Sequence, residues 1–272
     1  MNRRGIVWIA SYPKSGNTWV RCLISSLQTG AARIDLGSLG RTLPNAASRS
    51  WLERFVDVDN GDLLPAELHR LRAAAYSRCA AQGVSLLKVH DLYDPTLFPA
   101  DATLGTVYIV RDPRDVAPSW ADHMRVDLDT AIARMSDTEL VMSRSLAGYQ
   151  PQTPQRFGAW SSHAASWLQR APGPLLLLRY EDLLAQPLQE AARLAAFLGL
   201  PTASPHLARA VAACRFEALR ETEAREGFIE RRRGQARFFR RGQAGTWRET
   251  LDTTQAERLR AAHGVVMAWL GY

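Results

Sequence analysis

A chain of 272 residues, 46% hydrophobic and 22% charged, is long enough for a sizeable core, and a single domain over 1–272 is expected. No apolar run approaches the roughly 20 residues of a membrane span, and no leader with a basic and then an apolar region opens the chain. A cytoplasmic protein with no membrane partner is the expectation. The formal charge of +7 admits nucleic acid, but eight arginines and two glutamates fall between Arg225 and Arg248, a net +6 in one late segment. Such a cluster suits a small polyanion as well as it suits DNA.

In chain order, Ile6 to Ala10 reads as a buried strand, and Val20, Leu23, Ile24 and Leu27 give the next segment one apolar helical face. Between them lies Ser11-Tyr12-Pro13-Lys14-Ser15-Gly16-Asn17-Thr18-Trp19. Gly16 lets backbone N–H groups approach an anion, and the helix presents its positive end there. Lys14 adds a full charge, while Ser15 and Thr18 add hydroxyl donors. This is a phosphate cradle, yet without the Gly-Lys-Ser/Thr of the nucleoside-triphosphate loop. An ordinary strand–turn–helix corner is its bland alternative.

From Gly30 to Leu64 the pattern is irregular, with one short helix expected. Pro65 opens a helix that Gly83 stops. Val84 to Val89 is a second strand, and alternation puts Lys88 and His90 on one side of it. Leu104 to Val110 is a third strand ending at Arg111, after which Asp112 and Pro113 cap and open a helix that carries Ser119. Periodicity is lost again between Arg125 and Pro154. A helix over Ala159–Arg170 precedes Leu175–Leu178, the most buried-looking strand, which leads into Tyr180. Helices follow over Leu188–Leu198, Leu207–Ala213 and Phe216–Glu223, then the arginine-rich loop, then a helix from about Thr254 to Leu270. Strands alternating with helices predict an α/β protein: three layers, α/β/α, around a central parallel sheet. Ligands bind such sheets beyond the carboxyl ends of the strands, where Lys14, Lys88, His90 and Arg111 all fall. The cysteines Cys22, Cys79 and Cys214 have no metal-ligand spacing and read as buried thiols.

Four stretches carry a family resemblance. The cradle resembles the 5'-phosphosulfate loop of the sulfotransferases, and Ile109 to Val116 with Ser119 looks like their 3'-phosphate motif. Lys88-Val89-His90 is similar to the Lys-x-His that supplies the base in the cytosolic enzymes. Arg240-Arg241-Gly242, with Gly245-Thr246-Trp247, resembles the segment that folds over their cofactor. The resemblance implies a P-loop-like sulfotransferase fold of the small-molecule, bacterial type. It also implies transfer of a sulfuryl group from 3'-phosphoadenosine 5'-phosphosulfate (PAPS) to a hydroxyl, phenol or amine, with no metal.

Lys14, Ser15, Gly16, Asn17, Thr18 and Trp19 would then hold the 5' side of the donor, and Arg111, Ser119, Arg240, Arg241 and Gly242 the 3' phosphate. Trp19, Phe216 and Tyr180 would surround the adenine, with Cys214 where cytosolic members carry a hydroxyl residue. His90 would be the general base, Lys14 and Lys88 would stabilise the transferred charge, and Ser119 would draw Lys14 aside until the acceptor arrives. The acceptor expected from Trp51, Phe55, Met135, Met142 and Tyr149 is bulky and partly apolar. A dimer-motif likeness, from Arg248 through Asp252-Thr253 to Glu257, leaves a homodimer open. The rival readings are a P-loop kinase, with Asp182 as its magnesium acid, and a basic nucleic-acid-binding protein. Both rank below the sulfotransferase.

Overall fold

The structure is a computed structural model that describes residues 4–58, 63–144, 150–231 and 234–272. Four strands form one parallel sheet in the order β2-β1-β3-β6: β1 (Gly5–Ser11), β2 (Val84–Val89), β3 (Thr103–Val110) and β6 (Leu175–Arg179). A separate two-stranded ribbon joins β4 (Val141–Met142) to β5 (Gln155–Arg156), antiparallel. The period-2 geometry of a strand divides the core in two. Ile6, Trp8 and Ala10 of β1 with Tyr108 and Val110 of β3 enter one cluster, while Ile9, Val107 and Ile109 enter the other.

Helices cover both faces. On the first lie α4 (Pro65–Gln82), α5 (Pro113–Met124), α7 (Trp160–Arg170) and the last helix, α13 (Thr253–Trp269). On the second lie α1 (Asn17–Thr29), α9 (Pro187–Leu198) and α10 (Ser204–Ala213). The other α-helices among the described residues are α2 (Leu39–Thr42), α3 (Arg49–Leu52), α6 (Leu128–Met135), α8 (Tyr180–Ala185), α11 (Phe216–Glu226) and α12 (Trp247–Thr250). Trp8 is the anchor of the first face. It is fully buried, meets Tyr76 and Phe98 edge-on at 5.1 and 5.0 Å, and spends its indole N–H on Thr103 Oγ1 at 3.0 Å.

Two segments differ from their sequence expectation. The four-leucine run of β6 reads as buried on both faces, but β6 is an edge strand, and only Leu176 and Leu178 are buried. A run of like residues carries no alternation, so its position in the sheet stays invisible. Within the stretch that looked patternless, α6 forms because Asp127 accepts from the Thr130 N–H at 2.7 Å and buries Ile132 and Met135. Leu128, Ala131, Ile132 and Met135 do stand at helical spacing, but over only eight residues set between irregular stretches.

The register brings the carboxyl ends of all four strands level. Ser11 sits beside Ile109, Ala10 beside Val89, and Val110 beside Arg179. The chain moves from β1 to β2 on one side and then crosses to β3 on the other, so the turns after β1 and β3 diverge and open a crevice. The floor beneath it is tied by a buried ion pair. Arg72 of α4 donates to Asp91 Oδ2 at 2.6 Å and Oδ1 at 3.1 Å, and also to the Pro154 carbonyl at 3.1 Å.

Removing one partner of such a pair strands a charge in the interior. Asp91→Ala is therefore expected to lower the unfolding free energy by about 3–5 kcal/mol, read by urea denaturation. Replacing both partners with apolar side chains should recover most of that loss, and a single variant that melts like the parent would refute the assignment.

Candidate active site

The cradle is the turn between β1 and α1. Gly16 caps α1 at φ 103°, with no side chain closing the helix N-terminus, so the first-turn N–H groups face the crevice. A Cβ on Gly16 would lie 2.7 Å from Tyr180 Cδ2, so only glycine fits beneath that ring. Lys14 adopts φ 69°, a left-handed conformation that costs a non-glycine residue energy and marks a constrained turn. Ser15 Oγ is buried and has no partner among the described residues. It is a buried donor left unspent within the turn.

Not every cradle side chain faces the crevice. Asn17 Nδ2 turns inward to the Ile9 carbonyl at 2.9 Å and to Ser11 Oγ at 3.2 Å, bracing the turn against β1. Its backbone N–H alone belongs to the helix end. Trp19 donates its indole N–H to the Cys214 carbonyl at 2.9 Å and meets Tyr180 edge-on at 5.4 Å. The Cys214 thiol is buried and pushed up by desolvation, so this residue holds Trp19 through its backbone rather than offering a hydroxyl-like side chain.

A second basic group follows β3. The Arg111 guanidinium lies 4.3 Å over the Tyr180 ring and donates to the Gln243 carbonyl at 2.8 Å, while its Nε is buried without a partner among the described residues. Ser119 lines the same cavity two turns along α5. The carboxyl-terminal segment is fastened over them by Asp115. Its carboxylate accepts from the Gly245 N–H at 2.6 Å, the Trp247 N–H at 2.9 Å and Thr246 Oγ1 at 3.2 Å. Gly242, at φ 63°, lies so close to Phe216 that a Cβ would meet the ring at 2.3 Å. Arg240 and Arg241 bring their charge to the cavity edge, and Arg241 also donates to Thr250 Oγ1 at 3.1 Å.

Lys88 and His90 stand at the end of β2, both on the cavity wall. His90 Nδ1 lies 2.8 Å from the Ser11 carbonyl, an acceptor only, so Nδ1 carries the proton and Nε2 keeps its lone pair. Burial first, then the neighbouring Lys88 charge, hold the imidazole well below its ordinary pKa. It is neutral at physiological pH. His163, whose pKa falls to about 3 by burial, donates from Nε2 to the His90 carbonyl at 3.2 Å and takes the Tyr108 hydroxyl on Nδ1 at 2.9 Å. Burial likewise lowers Lys14 to about 8, and its Nζ rests 4.5 Å over the Phe238 ring.

Sequence reasoning passed over four residues here. Asp115 was visible in the Arg-Asp-Pro-Arg-Asp run but had no stated task. Phe238 carried no local signal. Arg21, read only as part of a helix, is fully buried, and Glu230 emerges from within the arginine-rich run to pair with it at 2.7 Å. Lys14, Lys88, His90, Arg21, Arg111 and Glu230 all line one cavity of about 780 Å³, large enough for a nucleotide and a second molecule. Asp182, the candidate magnesium acid, pairs with Arg179 at 3.3 Å instead, and Glu181 accepts from the Asp112 N–H and the Tyr272 hydroxyl. Tyr149 lies outside the described residues, as do two arginines of the basic run, Arg232 and Arg233. Asp252 caps α13 through the Gln255 N–H at 2.7 Å.

Comparison with known proteins places this architecture. The family described as "Sulfotransferase domain" matches residues 5–271. The chain is 26% identical to cytosolic sulfotransferase 16 of Arabidopsis thaliana, over 92% of this chain and 72% of that protein. It is 24% identical to sulfotransferase 1B1 of Mus musculus, over 95% of this chain and 81% of that protein. Among solved structures it is similar to retinol dehydratase in complex with retinol and PAP, with a TM-score of 0.65 and 22% identity, covering 97% of this chain and 82% of that one.

The depressed Lys14 sets a pH dependence for anion binding. A bound anion favours the charged amine and raises its pKa, so binding above about pH 8 must take up a proton. Affinity for 3'-phosphoadenosine 5'-phosphate (PAP) should therefore be full below that value and fall as pH rises through it. Calorimetry in buffers of different ionisation enthalpy should show proton uptake on the alkaline side and none at neutral pH. Lys14→Met should abolish the uptake.

Proposed function

This chain belongs to the PAPS-dependent sulfotransferase family, and from that premise we propose that His90 is the base of an in-line sulfuryl transfer to a hydroxyl-bearing small molecule. The observation that carries the reading is the His90 tautomer. Its Nδ1–H is engaged by the Ser11 carbonyl at 2.8 Å, which leaves a neutral Nε2 lone pair on the cavity wall. A base for a hydroxyl proton needs that atom and that charge state.

The residues present fit the donor. PAPS carries anionic groups at both ends of its adenosine, and the chain offers two sets of unspent donors: the uncapped α1 N-terminus with the buried Ser15 Oγ in the turn before it, and Arg111 Nε on the cavity wall. Ser15, Gly16, Asn17 and Thr18 would bind the 5' side, Asn17 through its backbone. Arg111, Ser119, Arg240, Arg241 and the Gly242 backbone would bind the 3' phosphate, for which an arginine fork is well shaped. Trp19, Tyr180 and Phe216 would enclose the base, and Cys214 keeps Trp19 in place.

When bound, PAPS supplies an activated sulfuryl group. The chain's part is to orient and to balance charge. His90 Nε2 accepts the acceptor's proton as its oxygen bonds to sulfur. Lys14 and Lys88 stabilise negative charge, Lys14 on the oxygen released at the 5' phosphate and Lys88 on the group in transit. Asp115 does not touch the reactants; it holds the 245–247 segment closed beside Arg111. We read Ser119 as the partner that draws Lys14 aside before the acceptor enters.

The acceptor side of the cavity presents Trp51, Met124, Met142 and Phe157 together with Ser48 and Gln152. This lining favours a bulky, partly apolar acceptor with polar substituents. Relatives named as cytosolic enzymes favour a cytoplasmic setting. No helix among the described residues is long and apolar enough to cross a membrane.

Calorimetric titration with PAP in the absence of metal, on the parent and on Arg111→Ala, tests the donor assignment. Tight binding that the variant loses supports it; magnesium-dependent ATP binding in its place overturns it. His90→Ala should lower kcat by roughly 10²–10⁴-fold while PAP affinity changes little. The acid limb of kcat/KM should lie well below the ordinary histidine value near ~6.5, because the imidazole is already neutral there.

A further inference from the structure

The cavity already contains an anion, and it is a side chain. Glu230 Oε1 accepts from Arg21 Nη1 at 2.7 Å, and Oε2 accepts from both Thr18 Oγ1 and Lys88 Nζ at 3.2 Å. These donors come from two elements far apart in sequence, α1 and β2, and they converge on one carboxylate. The neighbouring Lys88 and Arg21 charges hold that carboxylate well below its ordinary pKa against the opposing effect of burial. It is ionised throughout the physiological range.

Arg21 is built for this convergence. It is fully buried one turn beyond Thr18, and its Nη2 is fixed by the Leu39 and Leu43 carbonyls at 3.3 and 2.9 Å. Its Nε remains without a partner among the described residues. A buried guanidinium anchored on one side and only partly spent on the other is a prepared anion receptor. Glu230 reaches it from a segment whose Phe228 is buried against Phe238 while Ile229 is 84% exposed, so the carboxylate enters from the cavity mouth.

We propose that Thr18, Arg21 and Lys88 form an anion subsite that Glu230 fills in the free protein and surrenders to the 5' anionic group of the donor. The inference rests on the donor reading above. Two of the three groups are ones that reading gives to the 5' side and to the transferred sulfuryl, and they cannot serve Glu230 and the ligand together. Two anions sharing donors within hydrogen-bond distance repel strongly in a partly buried site, so one must leave. Arg21 then passes to the ligand and becomes an additional donor-binding residue. Glu230 is a competing internal ligand, and the apparent affinity for the donor is reduced by the fraction of molecules in which it sits in place.

The test compares two probes on the parent and on Glu230→Gln by calorimetry: PAP, and adenosine 3'-phosphate, which lacks the 5' anion. Glu230→Gln is expected to bind PAP at least about tenfold more tightly and adenosine 3'-phosphate with unchanged affinity. Equal tightening of both probes would mean only a change in net charge and would overturn the proposal, as would unchanged or weaker PAP binding. Failure of parent and variant alike to bind either probe would instead sink the donor reading itself. Glu230→Ala repeats the comparison with the carboxylate removed outright, and thermal melting of each protein confirms that it is folded.

Discussion

The site depends on cations gathered in a place with too little water to solvate them. Lys14, Lys88, Arg21 and Arg111 converge at the carboxyl end of a parallel sheet, beside the unclosed amino end of α1. Burial lowers the pKa of both lysines. A folded chain sustains such an arrangement only where the surrounding core is strong and some anion offsets the field. The core is the pair of clusters on either side of the sheet, with Trp8 and its aromatic neighbours beneath the crevice. The anions are Glu230 and Asp115 inside the chain, and the substrate from outside.

These two carboxylates do different work. Asp115 accepts three hydrogen bonds from the 245–247 segment and lies 4.0 Å from Arg111, so it couples closure of the carboxyl-terminal segment to the position of the guanidinium. Glu230 is bound by the cations themselves. Neutral His90 completes the contrast. Desolvated and beside the Lys88 charge, it is held in the neutral form, so Nε2 keeps its lone pair in the same cavity that gathers the cations.

Much of this was legible in the residue order. The strand–turn–helix of the cradle, the Lys88–His90 alternation and the Arg111 strand end all follow from periodicities of two and 3.6 and from glycine and proline placement, which act over a few residues. The three-layer architecture follows from their alternation. What was misread carried local marks that were short or misleading. The β6 leucines do not alternate, so an edge strand looked the most buried. The α6 segment does carry a helical period, Leu128, Ala131, Ile132 and Met135, but only over eight residues between irregular stretches. Asn17 stands within the cradle motif, yet its side chain braces β1.

By itself, the sequence determined the elements, their parallel packing and the sulfotransferase family, because each rests on short-range stereochemistry and on motifs contiguous in the chain. Tertiary structure alone decided which charges face one another. Glu230 meets Arg21 across 209 residues, Lys88 across 142, and Thr246 meets Asp115 across 131. Coulombic and hydrogen-bond energies depend on distances of a few ångströms, and separation along the chain carries no record of them.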